Sequence, residues 1–85
     1  MITSAQMKAA RALLDWSQPQ LAEAAGLSLP TIQRMEKLGM ERSMAGNVDS
    51  VVRAFERAGI QFIGNGPYHG EGGPGLRLTE NQIAK

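Results

Sequence analysis

Gln33, Arg34 and Lys37 lie in one short run, Leu29 to Lys37, and are the residues of this chain best suited to recognising another molecule. A guanidinium can donate a parallel pair of hydrogen bonds to guanine O6 and N7, and a carboxamide can serve adenine. An ammonium neutralises phosphate. Leu29 and Pro30 precede them and offer only van der Waals contact, most usefully to thymine methyl groups. Ser28 and Thr31 at the start of the run, with Arg42 and Ser43 just after it, are candidates for contact with phosphate. Together these types are suited to the base edges and phosphates of double-stranded DNA, with few hydrogen bonds available for readout.

Other chemistries find no constellation here. The chain has no cysteine, and its one histidine, His69, has no second ligand beside it, so neither a metal site nor a histidine-dependent nucleophile assembles. Gly70, Gly72 and Gly75 match G-x-G-x-x-G, but the run leads into a strand-like pattern, and Pro74 would interrupt a helix start. No enzyme, cofactor or metal is expected.

The reading residues need a scaffold, and the segment from Ser17 to Lys37 supplies one. Ser17 is an N-cap for a helix over residues 18–25, whose inner face is Leu21, Ala22 and Ala25. Gly26 can take the positive φ that a tight turn requires, and Leu27 drops toward the core. Ser28 caps the next helix, and Ile32, Met35 and Leu38 recur on its inner side. Pro19 and Pro30 each follow a capping serine by two residues, in a first turn where the absent N–H had no intrahelical partner. Two short helices set at an angle through a glycine turn are how a protein presents a helix to the major groove.

These residues resemble the Cro/C1-type helix-turn-helix family of phage repressors and small bacterial regulators, called the XRE family, over about Met7 to Phe62. The resemblance rests on Arg11, Ser17, Gln18, Leu21, Ala22, Gly26, Leu27, Thr31, Ile32 and Glu36. It implies a lambda-repressor-like helical bundle in which Leu29, Pro30, Gln33 and Arg34 occupy the main base-contacting positions. Gln18 then touches the DNA backbone and buttresses the readout. It also implies an ion pair between Arg11 and Glu36 that ties the first helix to the recognition helix. The residues themselves leave open an Arg11 that reaches water instead. Leu29 and Pro30 depart from the polar side chains that many relatives carry there.

Around this motif, a first helix begins near Ser4 and buries Met7, Ala10 and Leu14, with Lys8 outside. Trp16 ends it and packs against the second helix. Gly39 to Gly46 reads as a loop in which Arg42 and Ser43 either meet phosphate or face solvent. Asn47 is expected to cap a helix whose stripe is Val48, Val51, Val52, Phe55 and Ala58, ended by Gly59. Arg53 and Arg57 read as a solvated face. Ile60–Ile63 and Gly75–Leu78 read as strands with a glycine-rich loop between them.

The fold expected is mainly α, a small helical bundle with a short C-terminal β-hairpin. Residues 1–59 form the DNA-binding unit, 60–78 a strand pair, and 79–85 a flexible tail. A lone hairpin is marginal and leaves open edges, so Ile60, Phe62, Ile63, Leu76 and Leu78 are expected to build a homodimer. The alternative is a hairpin that folds back on its own helices. Eighty-five residues make one small domain, and its formal net charge of +1 makes placement of charge matter more than its sum. With no apolar run long enough for a membrane span, a cytoplasmic location follows. An antitoxin or adaptor that binds a protein partner with the same fold is the second functional expectation.

Overall fold

In the computed structural model, residues 2–63 and 75–79 are described. Four helices run in order: α1 Ser4–Leu14, α2 Gln18–Ala25, α3 Leu29–Leu38 and α4 Ala45–Arg57. Strands β1 Ile60–Ile63 and β2 Gly75–Leu78 then pair antiparallel, with Ile60 opposite Leu78 and Phe62 opposite Leu76. The glycine-rich segment with His69, and all of the C-terminal tail beyond Thr79, lie outside the described residues.

Capping explains the helix starts. Thr3 and Gln6 form a reciprocal capping box at α1, and Ser17 with Gln20 forms a second at α2. Gly26, at φ +70°, closes α2, and Ser28 caps α3 by accepting from the Thr31 N–H. Two expectations fail at the next junction. Residues 40–42 form a 3₁₀ turn that buries Met40 in the core. The cap of α4 is Met44, not Asn47, which already lies inside the first turn.

Phe55, Met7, Leu21, Ile32, Ile60 and Val51 are the largest fully buried side chains, so all four helices and β1 contribute to one core. Leu38 is not among them. It is 52% exposed, at the last position of α3 before Gly39. On α4 the buried residues are Val48, Val51, Ala54 and Phe55, which moves the stripe one position from Val52 and Ala58 toward Ala54. Trp16 is half-buried and stacks on Phe55 of α4, at 5.7 Å between ring centroids.

The hairpin folds back on its own protomer. Ile60 is 1% exposed, Phe62 meets Phe55 edge-on at 5.8 Å, and Leu76 and Leu78 pack on the same core. Buried Gln6 fastens it. Its Nε2 donates to Ile63 O at 3.1 Å and to Gly75 O at 2.8 Å, while its Oε1 accepts from the Thr3 N–H. The side chain of Ile60, expected at a dimer contact, is therefore taken up by the protomer's own core.

Candidate nucleic-acid interface

The recognition helix divides cleanly around its circumference. Ile32, Met35 and Glu36 face inward and are buried, whereas Pro30, Gln33, Arg34 and Lys37 are exposed and Leu29 and Thr31 are half-buried. This follows from the 3.6-residue period, which puts the inner residues at i, i+3 and i+4 and leaves the polar ones outside. Lys37 also stands in the last turn, where a cation complements the helix dipole. Ser28 Oγ lies 2.8 Å from Thr31 Oγ1, so two hydroxyls sit together at the helix start.

A polar network holds this helix against α1. Arg11 Nε donates to Glu36 Oε2 at 2.6 Å and Nη2 donates to Oε1 at 2.8 Å. This is a two-point contact of the kind that fixes direction as well as distance. The third guanidinium nitrogen donates to Trp16 O at 3.1 Å, and Gln18 Nε2 adds a donor to Glu36 Oε1 at 3.1 Å. Glu36 thus has three donors within a site where its side chain is only 4% exposed. Gln18 is turned toward Glu36, which leaves one Nε2 hydrogen and its Oε1 for any other partner.

Beside α3 the chain shapes a hollow of about 110 Å³ lined by Thr31, Arg34, Met35, Arg42, Ser43, Met44 and Asn47. Four of the expected DNA-contacting residues, Thr31, Arg34, Arg42 and Ser43, meet there. Ser43 is half-buried, its Oγ 3.4 Å from Gly39 O, while Arg42 is exposed. Leu29, Pro30, Gln33 and Lys37 lie elsewhere on the helix.

Comparison with known families settles what this arrangement is. The family model described as Helix-turn-helix matches residues 7–41, from α1 through α3 to the 3₁₀ turn. Residues 7–41 are a Cro/C1-type helix-turn-helix of the XRE family. No curated protein matches the chain. The helix-turn-helix match supports DNA binding and transcription regulation, in a domain family that is not typically enzymatic. Among the described residues no helix is long and apolar enough to cross a membrane.

Two residues that support the XRE domain were not visible as such in the sequence reading. Arg57, expected on a solvated face, donates from Nη2 to Ala24 O at 3.1 Å and so holds the end of α2 near the turn. No sequence period signals a bond across 33 positions. Gln6 does carry a signal, the T-x-x-Q capping pattern from Thr3, but that pattern says nothing of the strands its amide reaches.

Proposed function

We propose that this regulator binds a pseudo-palindromic operator as a homodimer, inserting residues 29–37 into successive major grooves. Half-sites then lie about 34 Å apart, one helical turn of DNA. The observation that carries the reading is the division of α3: Gln33, Arg34 and Lys37 are all exposed while Arg11 and Gln18 hold Glu36 on the opposite side. Arg34 supplies guanine readout, Gln33 serves adenine, and Leu29 and Pro30 contact thymine methyls. Thr31, Arg42, Ser43 and Lys37 position the helix on phosphates, with Ser28 at the helix start.

For the dimer, a two-stranded sheet leaves one edge of each strand unpaired among the described residues. Ile63 and the exposed part of Leu76 add apolar surface there. Selection of bound duplexes from a random pool tests the whole reading. Two inverted half-sites about 10 base pairs apart are expected. No enrichment would sink DNA recognition, and a single half-site would sink the dimer.

One observation favours a second reading, an antitoxin or adaptor. Ala9, Ala12, Leu13 and Leu76 line an open apolar hollow on the outer side of α1, next to the hairpin. Copurification of a protein in fixed stoichiometry, without a shift of the gene's own upstream DNA, would choose this reading over the first.

A further inference from the structure

β2 lies on the α1 side of the hairpin, and the direction of its backbone groups can be worked out. Thr79 N–H donates to Gly59 O at 2.6 Å, continuing the register in which Ile60 faces Leu78. Bonding alternates along an antiparallel ladder, so Gln61 with Arg77 and Ile63 with Gly75 bond across the hairpin, while Leu76 and Leu78 turn N–H and C=O outward. Among the described residues no further strand meets those groups. Beside them runs an apolar groove. Two hollows that share Ala9 and Leu76 join along α1, and Ala5, Ala12 and Leu13, the last 47% exposed, complete the apolar lining. The rims of the groove are cationic. Arg77 is exposed, its Nε held by Gln61 at 2.8 Å and its two terminal nitrogens left for an acceptor, and Lys8 is exposed one residue before Ala9. Neither α1 nor β2 contains a carboxylate.

Charge decides between occupants. Any antiparallel register that joins the outward groups of two β2 strands sets Arg77 opposite or diagonal to its own copy, which is unfavourable. A second copy fits poorly here, and the edge of β1 is left to the homodimer. We infer that the groove takes an extended segment of a partner protein, added beside β2 as a third strand, whose apolar side chains rest on Ala9, Ala12 and Leu13 and alternate with carboxylates that meet the rim cations. Main-chain bonds to Leu76 and Leu78 supply affinity, and the alternate side chains supply selectivity. The inference deepens the adaptor reading and rests on it.

The test selects from a displayed library of random nonapeptides on the full chain, then follows amide exchange with the enriched peptide bound. Peptides that alternate apolar and acidic residues are expected. Exchange at Leu76 and Leu78 should slow about 10-fold more than at Arg77, whose amide is already paired within the hairpin. Leu13→Asp should weaken the peptide about 10-fold, and Arg77→Glu about 5-fold with selection turned toward basic peptides. No enrichment, an enriched peptide that leaves both leucine amides unchanged, or amides already protected in the chain alone overturns the inference. Protection that rises with chain concentration, without peptide, gives the edge to a second copy and overturns it too. A protein that copurifies in fixed stoichiometry yet leaves both amides unchanged sinks this groove alone, whereas the absence of any such protein sinks the adaptor reading.

Discussion

Arg11 and Glu36 should respond to substitution unequally, and the inequality can be worked from their surroundings. The Glu36 side chain is 4% exposed and Arg11 is 21% exposed. In Arg11→Met the carboxylate loses contacts at 2.6 and 2.8 Å and keeps only Gln18. It cannot turn to water from so deep a site, so the cost expected is about 3–5 kcal/mol, that of a buried charge left without its partner. In Glu36→Met the guanidinium keeps Trp16 O at 3.1 Å and can swing its exposed end to solvent. Here the cost is about 1.5–3 kcal/mol, near that of one charge-assisted hydrogen bond. The double variant leaves no unpaired charge and should lie closer to the parent than Arg11→Met does. Urea unfolding followed by Trp16 fluorescence and far-ultraviolet circular dichroism measures all three. An 85-residue domain has roughly 4–13 kcal/mol in total, so a stabilising osmolyte keeps the folded baseline of Arg11→Met in view. Equal costs for the two single variants, or a double variant worse than both, would refute the reasoning.

Three further outcomes are expected. Gln6→Leu strands Ile63 O, Gly75 O and the Thr3 N–H, and should cost about 2–4 kcal/mol, with β1 and β2 amides exchanging well before those of α4. Hydrogen exchange that leaves the hairpin as protected as before would contradict the fastening role. Arg34→Ala should relax base preference at one position of each half-site and cost about 1–3 kcal/mol, whereas uniform weakening on all sequences would make Arg34 a phosphate contact. Asp15 ends α1 at φ +57°, so Asp15→Gly should raise the melting midpoint by about 2–6 °C and Asp15→Ala should not.

What the sequence disclosed was what depends on near neighbours. Ser17, Gly26 and Ser28 define caps and a turn through groups at most a few positions away, β1 carries a β-branched and aromatic signature, and β2 alternates Leu76 and Leu78 with Gly75 and Arg77. The errors share the opposite cause. Asn47 is a good cap by type, yet burial of Met40 pulls the chain into a 3₁₀ turn and starts α4 three residues earlier than an Asn47 cap would allow. Leu38 fits the inner period of α3 but stays half exposed at the end of the helix. Trp16 chose Phe55, from a helix some forty positions on. Of the interface, the face of α3 was legible from its period, while the grouping of Thr31, Arg34, Arg42 and Ser43 around one hollow required knowing where α4 begins.

The fastening of the hairpin by Gln6 also sets an order of events during synthesis. Gln6 and Gly75 are 69 positions apart, and at ordinary elongation rates that separation is about 3–14 s of translation. The helix-turn-helix is therefore synthesised in full while the strand whose Leu76 and Leu78 pack against the core is still unmade. A nascent or prematurely ended chain would display that apolar surface to chaperones and proteases, and only a product that reaches β2 conceals it.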